Sequence, residues 1–124
     1  MSSTEAAGVA SGVNNAVSRV AALLAIALLG VVMTQVFDRA LDRKLSTLAL
    51  PAGVARAVEV QRDKLAAIQI PLEIDPATRK TLEQAIAASF VGGFRAVTLL
   101  AALSAFASAA LAFAMIEREG SRRA

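Results

Sequence analysis

The sequence predicts an all-α membrane protein in which two transmembrane helices are joined by a long, partly helical extramembrane connector. Three observations carry this: 56% of the 124 residues are hydrophobic, the mean hydropathy is +0.60, and two long runs lack any charged side chain. Soluble domains of this size are rarely so apolar.

The first run, Val20 to Phe37, holds 18 residues without Asp, Glu, Lys or Arg. At about 1.5 Å per residue it covers roughly 27 Å, close to the thickness of a bilayer's hydrocarbon core. The second, Ala96 to Ile116, holds 21 such residues and would cover roughly 31 Å. Backbone polar groups in lipid must be satisfied within the segment, so each run is predicted to be helical, in agreement with its Ala and Leu content. A cleaved signal peptide is disfavoured for the first run, because Met1 to Ala7 carries Glu5 and no basic residue, and no clear cleavage site follows the apolar core. The second run begins after Arg95 and stops at Glu117, Arg118 and Glu119, with Arg122 and Arg123 close behind. Such charges hold a helix end in water.

Three regions follow: residues 1–37, an amino-terminal lead and first span; 38–94, a connector with amphipathic helices; and 95–124, a second span with a short charged tail. The connector runs 57 residues from Asp38 to Phe94, too long for a tight turn and too polar to lie in lipid. Leu50-Pro51-Ala52-Gly53 should break the helix that leaves the first span. Val54, Val58, Leu65 and Ile68 then fall near one helical face, opposite Arg56, Glu59, Arg62 and Asp63, which predicts a surface helix ending at Ile70-Pro71. Asp75-Pro76 reads as an N-cap followed by proline in the first turn of a new helix, which carries Leu82, Ile86 and Phe90 toward the membrane. Gly92-Gly93 marks a hinge, a helix irregularity or a close helix contact, with irregularity favoured over hinge.

Composition also narrows the chemistry. There is no Cys or His, hence no thiolate nucleophile, imidazole base, disulfide or usual zinc site, and neither a cofactor nor a metal is expected. The formal net charge of +3 is spread among nearly as many acids with no aromatic stacking platform, so a nucleic-acid partner is discounted. A membrane enzyme using Asp63, Asp75 or Glu83 is disfavoured, since no carboxylate pair or nucleophile there has a positioned partner. No enzymatic activity is expected.

The helix faces point instead to docking. Gly8, Gly12, Asn15, Arg19, Ala22 and Ile26 recur every three or four residues and form one stripe, beside another of Ser11, Asn14, Ser18 and Ala25. Small residues admit a neighbouring backbone and the amides can bond across the gap, which is how helices associate in lipid. The candidate helix-packing or gating residues are therefore Gly8, Gly12, Asn14, Asn15, Arg19, Gly30, Gly92, Gly93 and Arg95. Arg19 and Arg95 are more simply explained as anchors to headgroups, Arg19 having an interhelical network as its alternative. Ala101, Ala105 and Ala109, with Ser104, Ser108 and Ala112 alongside, repeat the small-residue theme in the second run. The expected partners are the bilayer and further helices, whether of the same assembly, of another membrane protein or of a second copy.

Two stretches resemble a known family. A-G-V-A-S-G-V-N-N-A-V-S-R-V-A from Ala7 to Ala21, then A-I-A-A-S-F-V-G-G-F-R-A-V from Ala85 to Val97, resemble in order and spacing the carboxy-terminal end of a fourteen-helix drug:proton antiporter of the major facilitator superfamily. Ala22 departs from the glycine common there. The resemblance implies that the two runs are the thirteenth and fourteenth helices of an inner (plasma) membrane transporter. Both ends would be cytoplasmic, the connector outside, and transport would require the missing helices. It also implies that the first helix belongs to the set packing the two halves together during rocking. No intramembrane coupling residue can be named, because neither run contains Asp, Glu, Lys or His. Asp38 to Lys44 is expected to be a solvated helix end. The basic residues argue the other way on topology: the connector holds eight Lys or Arg against four in the two ends, which by the positive-inside rule would place it in the cytoplasm. In a complete transporter the preceding spans would decide the orientation. The alternative function is a free-standing two-span protein acting as a structural or regulatory subunit.

Overall fold

The computed structural model describes the backbone of residues 3–122 and the side chains of 8–116. It is all-helical, without strands among the described residues: α1 (Ser3–Leu45), α2 (Ala52–Glu59), a short 3-10 segment (Arg62–Ala67) and α3 (Pro76–Arg122). The chain divides into two units, Met1–Val32 and Met33–Ala124.

The first unit is the amino-terminal part of α1. From Gly8 to Leu28 every residue is exposed, and the apolar side chains among them, Val20, Leu23, Leu24 and Ile26, are more than half accessible. Ser18 turns its hydroxyl back on the carbonyl of Asn14 at 2.8 Å, so that hydroxyl is satisfied within its own helix.

The second unit contains the buried core. Phe37 and Leu41 from α1, Val54 and Val58 from α2, Ile68, and Leu82 and Ile86 from α3 form one cluster. Leu45, Leu50, Leu65, Ile70, Ile74 and Phe90 pack against it. Three spacings explain the assembly: 37/41, 54/58 and 82/86 are each one helical turn, and Ser89 continues the buried face of α3. Ser89 is fully buried but donates to the Ala85 carbonyl at 2.7 Å, so it carries no unsatisfied group.

The helix starts and stops mostly follow local chemistry. The Asp75 carboxylate accepts from the Thr78 amide at 3.0 Å, the N-cap bond expected ahead of Pro76. α1 ends where Ser46 and Thr47 bond back to the carbonyls of Arg43 and Lys44 at 3.0 and 2.7 Å, just before Pro51 fixes the chain for α2.

Two sequence expectations need correction. The connector between the long helices is shorter than Asp38 to Phe94: α1 continues two turns past Phe37 because Phe37 and Leu41 have a core to enter, and α3 runs unbroken from Pro76 through Gly92-Gly93 into the apolar run. Only residues 46–75 lie between α1 and α3. Nor is there one surface helix from Val54 to Ile68. α2 stops at Glu59, and the 3-10 segment after it is kinked at Leu65, whose φ is 51° and ψ −117°. The kink turns Ile68 back into the core.

Candidate functional site

The place where chemistry concentrates is the headpiece built on the end of α1, and its polar centre is Arg62. The Arg62 guanidinium lies 3.6 Å from Asp38, 2.6 Å from Glu59 and in hydrogen-bonding contact with Asp42. Asp38 and Asp42 are one turn apart on α1, on a face adjoining Phe37 and Leu41, so one cation from the connector reaches two carboxylates of the long helix. The Arg62 side chain is 19% exposed, whereas its three partners are 43% to 64% exposed. Burial works against the Arg62 cation, but the hydrogen bonds it donates to Asp42 and Glu59, together with their charges, outweigh it and hold the pKa above arginine's ordinary value. A pKa raised on folding stabilises fully below the unfolded value and is lost only as pH rises through the folded one. The guanidinium therefore stays charged at any pH where the fold is of interest.

The turn that carries Arg62 is closed on itself. The Gln61 amide donates to the carbonyls of Ala57 at 3.0 Å and Gln69 at 3.1 Å, and accepts from the Gln69 backbone N–H at 3.2 Å. One side chain thus brackets Gln69 as a strand neighbour would. Arg79 adds a bond from its guanidinium to the Ile70 carbonyl at 3.1 Å, which ties the end of this turn to α3. Leu65, at the apex, sits at a positive φ that favours glycine, a strain of about 1–3 kcal/mol. Its side chain is half-buried against the core. Leu65→Gly releases that strain but gives up the packing and adds unfolded-state entropy, two losses of about 1 kcal/mol each. We expect stability within about 1 kcal/mol of the parent, checked by the rate of tryptic cleavage in the connector; a hundredfold acceleration would contradict the account.

The carboxylates weighed as catalytic have structural partners. Asp75 caps α3, and Glu83 pairs with Arg79 at 3.4 Å one turn away. Asp63 is exposed. Glu83 also borders a shallow cleft of about 150 Å³ whose other walls are Ala66, Ile68, Ile70, Ile86 and Ala87, an apolar lining with one acid.

Of the glycines singled out for packing or gating, Gly93 is the one where an added Cβ would meet a neighbour within 4 Å. A Cβ placed on Gly93 would lie 2.8 Å from the Met33 sulfur, 3.1 Å from the Met33 carbonyl oxygen and 3.2 Å from its Cε. Gly93 is therefore where α3 comes against α1, a contact in place of a hinge or irregularity. Around Gly8, Gly12, Gly30 and Gly92 a Cβ would meet nothing within 4 Å. Asn14, Asn15, Arg19 and Arg95 are exposed. The side chains of Glu117, Arg118, Glu119, Arg122 and Arg123, expected to hold the carboxy-terminal end in water, lie outside the described residues. Arg62 was the residue that the spacing misplaced, on the polar face of a surface helix; its two partners on α1 are 20 and 24 residues away in sequence, and no local pattern announces them.

α1 and α3 are each long and apolar enough to cross a membrane by length and composition, and none of the most apolar window of α3 and only 6% of that of α1 is buried. A soluble protein's core helix would have that surface covered. No family model matches the chain, and no curated protein or solved structure is detectably similar to it.

Proposed function

We propose that this chain supplies the last two membrane spans of a major facilitator superfamily transporter of the fourteen-helix drug:proton antiporter kind. It contributes helix packing to the rocking half and is not transport-competent alone. The observation that carries the membrane part is the bare apolar length of both long helices beside a small, fully formed core. Exposed apolar surface on that scale is stable only against lipid or other helices. The transporter part rests on the resemblance of Ala7 to Ala21 and Ala85 to Val97, stretches that supply the exposed glycines and asparagines of α1 and the Gly93 contact of α3. Exposed amides and glycines on an apolar helix fit association with further spans.

The reading places the protein in the inner (plasma) membrane with both ends in the cytoplasm and the headpiece outside. The Met33–Gly93 contact bears on where the outer surface lies. Along α3, Arg95 is two residues beyond Gly93 on the apolar side; along α1, Phe37 is four residues beyond Met33 on the headpiece side. With Phe37 buried in the headpiece, the hydrocarbon boundary belongs near Met33 and Arg95, and Arg95 reaches the headgroups.

The test is the mass of the native polypeptide, read with an antibody against the connector on source membranes. A band several times heavier than 12.8 kDa, with efflux lost when this segment is deleted, is the expected result. A band at 12.8 kDa would overturn it in favour of a free-standing two-span subunit.

A further inference from the structure

Besides the Arg79 bond to the Ile70 carbonyl that ties its end to α3, the segment from Ala52 to Ile70 is held in two distinct ways. Underneath, Val54, Val58 and Ile68 enter the apolar core. Above, its charged attachment to α1 runs through Arg62: among the described residues every ion pair between α1 and this segment is made by that one guanidinium, to Asp38 and Asp42. The segment is also preformed, since Gln61 closes the turn from Ala57 to Gln69 on itself.

We propose that this segment is a latched strap. Arg62 is the latch, the Asp38–Asp42 face of α1 is the catch, and release lifts α2 and the following turn as one body from Phe37, Leu41, Leu82 and Ile86. Three features separate a latch from a passive core contact. The catch is made of carboxylates that are largely exposed to solvent, so dissolved ions compete for it. With the guanidinium gone, Asp38, Asp42 and Glu59 face one another as like charges, so the attraction turns into repulsion. And the apolar layer beneath is thin: the strap lays three buried side chains on it, enough to keep the closed state dominant while the latch sets how often it opens. Closed, the strap ties α1 to α3 as a single body; open, the ends of the two helices are free to part. The inference does not depend on the transporter reading, because it concerns residues 33–93 alone.

The chain has no cysteine, so Val58→Cys, at a fully buried position of the strap, is a sole reporter of opening. The full chain is reconstituted in phospholipid nanodiscs and treated with a charged maleimide. In the parent the thiol should react slowly at low salt and several-fold faster at 1 M salt, where screening acts within about 3 Å. Arg62→Glu should raise the rate roughly tenfold or more. Adding Asp42→Arg to Arg62→Glu should return it toward the parent. Arg62→Gln, which removes the charge, should open the strap and reverse the salt dependence, because salt then screens the repulsion left among Asp38, Asp42 and Glu59. Fast labelling of the parent at low salt would overturn the proposal, as would equal rates in parent and Arg62→Glu. So would a rate raised by Arg62→Glu that the charge swap fails to restore, or an acceleration by salt that persists in Arg62→Gln.

Discussion

Phe37→Ala is expected to open the headpiece while leaving the long helices intact. Phe37 is fully buried and is the largest side chain in a cluster of seven. Truncating a buried phenylalanine costs about 3–5 kcal/mol in transfer and cavity terms, and in so small a core the neighbours cannot close the void without moving α2. The segment above it carries trypsin sites at Arg56, Arg62 and Lys64. Their cleavage reports local opening and should accelerate by two orders of magnitude or more, since about 1.4 kcal/mol is a factor of ten. Leu24→Ala is the control. Leu24 is 65% exposed on the same helix, and its loss should leave connector cleavage unchanged. If both variants cleave at the parental rate, Phe37 is a lipid-facing residue and the core is misassigned. The contrast therefore tests whether α1 changes role between Leu24 and Phe37.

That change of role was not legible in the sequence. Val20 to Phe37 is uniformly apolar, and a side chain that will meet lipid carries the same hydrophobicity as one that will meet Val58. Only the three-dimensional neighbours distinguish them. The start of α3 could be read directly, because an N-cap aspartate and the proline after it act on amides within three residues. The spacing of Val54, Val58 and Ile68 put them on one apolar face, which the structure buries in the core, although the helix implied by that spacing breaks between Val54 and Ile68. Nothing in the sequence marks the break. The kink falls on Leu65, a leucine at a positive φ where glycine or asparagine would have signalled a turn. Arg62 was invisible for a related reason: a basic residue among acids on a polar face looks solvated until the fold brings Asp38 and Asp42 to it. A Cβ on Gly8 or Gly12 would meet nothing within 4 Å, and Asn14, Asn15 and Arg19 are exposed, so the stripe stays a sequence pattern.

The adjacent glycines of α3 should respond oppositely to the same change. A Cβ on Gly92 meets nothing within 4 Å, so Gly92→Ala gains helix propensity of about 1 kcal/mol with nothing to offset it. Gly93→Ala gains the same propensity but puts its methyl 2.8 Å from the Met33 sulfur and 3.1 Å from the Met33 carbonyl oxygen. The thioether can swing away, because methionine has three soft torsions. The carbonyl belongs to α1 and moves only with the helix. Gly93→Ala should therefore fall about 1–3 kcal/mol below Gly92→Ala, the usual cost of overpacking, and Gly93→Leu should fall further, forcing the helices apart. Thermal unfolding of the headpiece in detergent, followed by connector proteolysis, ranks the variants. Met33→Ala separates the two contacts: combined with Gly93→Ala it removes the sulfur clash and leaves the carbonyl clash, so recovery should be partial. Full recovery would mean that the sulfur alone sets the approach. No recovery would mean that the backbone does, and the spacing of α1 and α3 at this level would then be fixed by the main chain at residues 33 and 93. If Gly92→Ala proves as damaging as Gly93→Ala, the pair serves helix flexibility in place of contact.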